Sequence, residues 1–195
     1  MIFTVDVGNT NIVLGAFEND KLKFTARVAT EALKMEDQYA IEFSSIIRLN
    51  GYKPSQVDGA ILSTVVPTLV PILKRAMTKL FKCKVFVIGP GIKTGLNIKI
   101  DNPAALGSDL VCSAVGALLK HKPPLIIFDL GTATTITAVN EKCEMIGGSI
   151  MPGVRISLDA LSSRTSQLPQ ISIDMPNENV IGANTIDCMK SGVVI

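Results

Sequence analysis

Residues Asp6–Lys21 read DVGNTNIVLGAFENDK, and residues Asp129–Glu144 read DLGTATTITAVNEKCE. Asp6 falls against Asp129 and Gly8 against Gly131, 123 residues apart, so Asn9, Thr10 and Asn11 meet Thr132, Ala133 and Thr134. In each copy an apolar run leads into the aspartate. A glycine and small polar residues come next, then a second apolar run and a polar turn. Strand, short polar tip, strand is the pattern of a β-hairpin. A spacing this long is not the period of a stacked repeat, so one domain design is used twice.

The chemistry of the tip explains its composition. Glycine and small residues let backbone N–H groups approach an anion closely. Side-chain amides and hydroxyls add donors. An aspartate at that point repels phosphate unless it holds a cation that bridges to phosphate oxygens. Asp6 is therefore expected to carry a metal through the phosphate, and Gly8, Asn9, Thr10 and Asn11 to carry the phosphate itself. Two such hairpins can grip a polyphosphate from both sides. One D-x-G is a common turn signal; its second occurrence in the same context favours phosphate binding.

Around the hairpins the pattern predicts strands at Ile2–Val5, Ile12–Phe17 and Leu22–Val28, with Glu18–Lys21 as a turn. Tyr39, Phe43, Ile46 and Ile47 mark a helix stopped at Asn50–Gly51. A strand at Gly59–Ser63, a helix through Leu69–Leu80 and a strand at Lys84–Ile88 complete a β-β-β-α-β-α-β half. Ile92–Pro103 is a connector with strand-like alternation. Asn102–Pro103 predicts a helix over Ala104–Leu119. The expected organisation is a first domain over 1–91, a connector and helix over 92–124, and a second domain over 125–195.

Composition narrows the function. Of 195 residues 47% are hydrophobic, enough for a packed core, and there is no Trp and only two Tyr, which argues against an aromatic platform for nucleic acid. The net charge of +2 comes without a basic cluster. No apolar run approaches the ~20 residues of a membrane span, and MIFTVDVG lacks a basic leader region. Cys83, Cys112, Cys143 and Cys188 show no C-x-x-C spacing and are expected to be reduced packing residues of a cytoplasmic protein. No P-loop, Rossmann or G-x-S-x-G motif is present, and His121, the single histidine, sits in a Pro/Lys turn.

The duplicated hairpins resemble the actin, hexokinase and acetate kinase superfamily. Five segments are similar to type III pantothenate kinase: DVGNTNIVLG (Asp6–Gly15), NPAALGSDL (Asn102–Leu110), FDLGTATTITAV (Phe128–Val139), GGSIMPGVRISLDALSSRTSQLP (Gly147–Pro169) and IGANTIDCMKSG (Ile181–Gly192). The resemblance implies an α/β fold of two ribonuclease H-like (actin-like ATPase) domains, each a mixed five-stranded sheet flanked by helices, the second incomplete. It implies an ATP-dependent kinase that phosphorylates the terminal hydroxyl of pantothenate, the first step towards coenzyme A. It further implies a homodimer, Mg²⁺, and a monovalent cation, K⁺ or NH₄⁺. By motif, Asp6, Val7, Gly8, Asn9, Thr10, Asn11, Ile12 and Val13 match the first phosphate hairpin, and Thr132 an ATP contact in the second. Asp129 matches the monovalent-cation ligand and Asp109 the general base. Gly107, Ser108, Asp109, Leu110, Ile100 and Thr185 match substrate positions, Thr185 across the dimer interface.

The chain departs from that pattern at three points. The family's G-A-D-R is GSDL here, with Leu110 in place of arginine, and a tyrosine before D-N-P is Ile100. Losing a guanidinium that contacts an anionic substrate weakens binding by about 2 kcal/mol, roughly 30-fold. The family also continues past MKSGVV, so an adenine pocket open on one side is expected. These departures keep open a non-catalytic or altered-substrate relative with a regulatory role. A phosphatase or ATPase of the same superfamily is a third reading.

Overall fold

The computed structural model describes residues 1–172 and 180–194. It divides into two compact units, Met1–His121 and Lys122–Ile195.

The first unit runs β1 (Ile2–Val7), β2 (Asn11–Glu18), β3 (Lys21–Ala29), α1 (Glu36–Leu49), β4 (Gly59–Thr64), α2 (Val70–Phe81), β5 (Val85–Val87), β6 (Asn97–Ile98) and α3 (Ser108–Lys120). Its five-stranded sheet has the order β3-β2-β1-β4-β5. β1 pairs antiparallel with β2 and parallel with β4, so the sheet is mixed. Asn19 and Asp20, both at positive φ (50° and 58°), form the two-residue turn between β2 and β3, a backbone that Asn and Asp tolerate. Tyr39, Phe43 and Ile47 recur at i, i+4 and i+8 and are the buried face of α1; α2 buries Leu73, Ala76, Met77 and Phe81. The Phe3 ring lies 6.1 Å from that of Phe43 and 5.1 Å from that of Phe81, so both helices meet the β1 face of the core.

The helix expected from Ala104 begins at Ser108 instead. Asn102 and Pro103 open only a 3-10 turn over Pro103–Ala105, and Leu106 and Gly107 are extended before α3 starts. The start signal is real, but hydrogen bonds from Ser108 to β4 fix the helix four residues later.

The second unit runs β7 (Leu125–Leu130), β8 (Ala133–Val139), β9 (Glu144–Pro152), α4 (Val154–Arg164) and α5 (Thr185–Val194). β8 pairs antiparallel with β7 and with β9. Asn140 shapes the second turn: its Oδ1 accepts the N–H groups of Lys142 (2.9 Å) and Glu144 (3.0 Å). The α/β class and the repeated three-strand opening are as expected. The mixed five-stranded sheet expected twice is complete in the first unit; the second offers, among the described residues, the antiparallel β7–β8–β9 arrangement followed by α4 and α5.

The cysteines are unpaired, but Cys112, Cys143 and Cys188 are exposed and only Cys83 is half-buried, so the expectation of four packing residues fails for three. His121 is exposed. No helix among the described residues is long and apolar enough to cross a membrane.

Candidate active site

Asp6 stands at the carboxyl end of β1, opposite Val13 on β2 and Ser63 on β4. The side chains of Val7 and Ile12 are in the core (1% and 0% exposed), so only their backbones can serve a ligand, while Asn9, Thr10 and Asn11 are exposed. The Gly8 N–H already donates to Asn11 O (3.0 Å). That donor is engaged within the tip itself. Thr30 holds this tip: its N–H donates to Thr10 O (2.9 Å) and its hydroxyl to Gly8 O (2.8 Å).

The start of α3 is tied to the end of β4 by buried hydroxyls. Ser108 Oγ lies 3.1 Å from Ser63 Oγ, accepts the Thr64 N–H (3.2 Å) and donates to Thr64 O (3.1 Å). Ser108, assigned by motif to substrate, thus spends its hydroxyl on the strand. Asp109 comes next, half-buried, its Oδ1 accepting the Leu110 N–H (2.8 Å). A Cβ on residue 107 would meet that carboxylate, so a side chain there would push the Asp109 carboxylate aside. Cys112, one turn further along α3, bonds to Ser63. Although the residue as a whole is exposed, desolvation at its thiol raises the pKa, the hydrogen bond with Ser63 opposes this, and the charges of Asp6 and Asp109 raise it further. Asp6 is paired with Ser63, and Ser63 meets Ser108, so Asp6 and Asp109 belong to one neighbourhood of the first unit.

Beside this neighbourhood lies a cavity of about 540 Å³ whose wall includes Gly107, Ser108 and Val111 and one side of the connector. Asp109, Leu110 and Ile100 do not line it. Leu110 and Ile100 are half-buried.

In the second unit Asp129 and Thr132 are exposed. The Gly131 N–H donates to Ala133 O (3.2 Å), and the Gly153 N–H donates to Thr132 O (3.1 Å). A Cβ on residue 153 would collide with the carbonyl oxygens of Gly131 and Thr132. Asp129 is opposite Thr135, whereas Asp6 is opposite Val13. The second tip is one residue shorter, so the gap-free alignment slips beyond it: Thr135, and not Ile136, is the counterpart of Val13. Turn length sets register, and a register slip is invisible to an alignment without gaps. Thr135 Oγ1 is buried and has no hydrogen-bond partner. Directly opposite residues share a sheet face, so an exposed carboxylate and an orphaned hydroxyl stand together. Thr185 is exposed at the first position of α5, whose start is capped by Asn184 Oδ1 accepting the Asp187 N–H (2.9 Å).

Thr30, Ser63, Cys112, Thr135 and Gly153 are residues that sequence reasoning passes over. Ser63 had a signal: it ends a strand parallel to β1, and sites gather at the carboxyl ends of parallel strands.

A family model described as type III pantothenate kinase matches residues 2–195. Curated type III pantothenate kinases from Geobacillus sp. (strain WCH70) and Geobacillus thermodenitrificans (strain NG80-2) are 45% and 42% identical over 194 residues, covering 100% of this chain and 75% of each relative. Among solved structures, the ethanolamine utilization protein EutJ from Carboxydothermus hydrogenoformans is 16% identical with a TM-score of 0.48, over 83% of this chain and 56% of that one, a likeness too loose to bear on function.

Proposed function

The chain belongs to the type III pantothenate kinase family, and on that premise we propose how its residues divide the reaction. The enzyme is an ATP-dependent pantothenate kinase acting in coenzyme A biosynthesis. In the proposed step, the terminal hydroxyl of pantothenate attacks the γ-phosphorus of ATP. The bond from that phosphorus to the β–γ bridging oxygen breaks, and ADP leaves with the electron pair. The hydroxyl proton passes to Asp109. Its Oδ1 is engaged by Leu110 N–H, so Oδ2 is the accepting oxygen. The exposed groups of Asn9, Thr10 and Asn11, with Thr132 of the second hairpin, contact phosphates.

The donor set fits the metals the family implies. Among the described residues no group of three His, Cys, Asp or Glu could cage an ion. A divalent ion would then be held by Asp6 and phosphate oxygens, the habit of Mg²⁺. Asp129 with the unpartnered Thr135 Oγ1 suits K⁺ or NH₄⁺, an oxygen pair without excess charge. Such cations, when bound, supply neutralisation of the phosphate charge.

The observation that carries this reading is the Ser63–Ser108 hydroxyl contact (3.1 Å), which ties the residue paired with Asp6 to the residue preceding Asp109 and so supports a phosphate hairpin and a base close together within one unit. Asp109→Asn is expected to lower kcat by about 10²–10⁴-fold, with KM for ATP nearly unchanged. An unchanged kcat removes Asp109 as the base. The proposal extends to a cytoplasmic homodimer in which Thr185 reaches substrate across the interface, supported by the GANT segment (Gly182–Thr185). Nothing in the fold or the relatives favours the non-catalytic or phosphatase readings.

A further inference from the structure

Tyr39 carries a hydroxyl that its place in the core does not need. It stands with Phe43 and Ile47 on the buried face of α1 and is 0% exposed, its ring 5.9 Å from that of Phe43. A phenylalanine ring would fill the same space. The hydroxyl instead grips the chain between β3 and α1 at one residue. It accepts the Glu31 N–H (3.2 Å) and donates to Glu31 O (2.8 Å). Burial pushes the phenol pKa up, so the hydroxyl keeps the proton it donates. Lys34 closes the same turn: its N–H donates to Glu31 O (3.2 Å), and its ammonium lies 5.6 Å from the centre of the Tyr39 ring and 2.8 Å from the Glu31 carboxylate. Next to Glu31 in the chain is Thr30, whose N–H and hydroxyl bond to Thr10 O and Gly8 O. Hydrogen bonds thus run in series from the core of the first unit to the tip, two from the phenol to residue 31 and two from residue 30 to residues 8 and 10.

A phosphate-binding tip needs such a hold. Carbonyl oxygens carry partial negative charge and repel phosphate when turned towards it. Thr30 engages two of them, Gly8 O and Thr10 O, and ties both to the end of β3. A tip fixed in advance binds charge without reorganising, whereas a loose one loses freedom on binding. Thr30 can fix the tip only as firmly as Thr30 is itself fixed, and the rigid point behind it is a side chain locked by packing. We propose that Tyr39 is a positioning residue for the nucleotide: its hydroxyl, acting through Glu31 and Thr30, holds the Gly8–Asn11 tip in the conformation that receives phosphate. The inference rests on the kinase reading for the source of that phosphate, ATP. Tyr39 is buried in the core and acts on the nucleotide only through the chain it anchors.

The experiment compares Tyr39→Phe with the native full chain, by kinase assay with pantothenate, Mg²⁺ and K⁺ and by calorimetric titration with Mg–ATP. The expected result is a KM and a Kd for ATP raised about fivefold, about 1 kcal/mol, with kcat and the KM for pantothenate within about twofold. Two comparisons separate positioning from a general loosening of the core. Ile47→Val removes one methyl group from the same buried face and should leave the KM and Kd for ATP unchanged. Thr30→Val already severs the hydroxyl bond to the tip, so adding Tyr39→Phe to it should weaken ATP binding by less than the product of the two single effects. An unchanged Kd for Mg–ATP in Tyr39→Phe overturns the inference, as does an equal rise in Ile47→Val or full additivity of the pair. If the native chain binds Mg–ATP without phosphorylating pantothenate, the kinase reading fails, and the titrations still decide the role of Tyr39. A native chain that does not bind Mg–ATP overturns both.

Discussion

Phe3, Val5 and Val7 on β1 and Ile126, Phe128 and Leu130 on β7 occupy matching positions of the two hairpins, yet the first three are 0%, 1% and 1% exposed and the second three 62%, 63% and 77%. The same local pattern is buried within the first unit and left uncovered by the described residues of the second. The difference lies in the elements that pack against each hairpin. In the first unit, α1 and α2 bring Phe43 and Phe81 against Phe3. In the second, the sheet residues that are buried, Thr137, Val139 and Met145, stand on the opposite face, which register assigns to the side of Leu125 and Ile127. A hairpin repeat therefore carries over its Asp-x-Gly start without carrying over the burial beneath it.

The largest test of that contrast is a matched pair of truncations. Phe3→Ala should cost about 3–5 kcal/mol in urea unfolding, whereas Ile126→Ala should stay within about 0.5 kcal/mol. Equal losses would break the comparison. Next come the tips. Gly153→Ala forces a methyl group into two carbonyl oxygens and should cost about 1–3 kcal/mol and most of the turnover. Gly8→Ala meets only Asn11 O, at 3.3 Å, and should be milder by both melting and kinase assay. The hydroxyls near the tips sharpen the point further. Thr30→Val removes the bond to Gly8 O and should cost about 1 kcal/mol and raise KM for ATP. Thr135→Val removes an unpartnered group, so stability should hold or rise while activation by K⁺ falls.

The smallest expected effect is alkaline. The folded state keeps Cys112 protonated at a pH where the unfolded chain has released that proton. The unfolded state then binds fewer protons, so this contribution to stability is full below the ordinary thiol pKa of about 8.5 and declines as pH rises above it. Urea midpoints from pH 8 to 10 should fall more steeply for the native chain than for Cys112→Ser.

Much of this arrangement could be read before the fold. Tyr39, Phe43 and Ile47 announced α1 by spacing, and Asn19–Asp20 announced the turn, because both signals are local. Asp6 and Asp109 were legible as charged residues at a strand end and a helix start. What escaped was set by contacts distant in sequence. Ser108 takes the helix start away from Asn102–Pro103 through bonds to β4, and Thr30 and Gly153 support tips from 20 or more residues away. The one-residue difference between the tips also escaped, since it shows only in the pairing across strands.

The connector adds a consequence for engineering and for divergence. Its two sides differ by a single step along the chain. Only Asn97–Ile98 of it is strand and Gly95 turns at φ 82°, so the alternation is local and not a register that a deletion could slide. Substituting Ile92, Thr94, Leu96 or Ile98 is therefore the direct way to remake the cavity wall, and it leaves the exposed Lys93 and Lys99 in water.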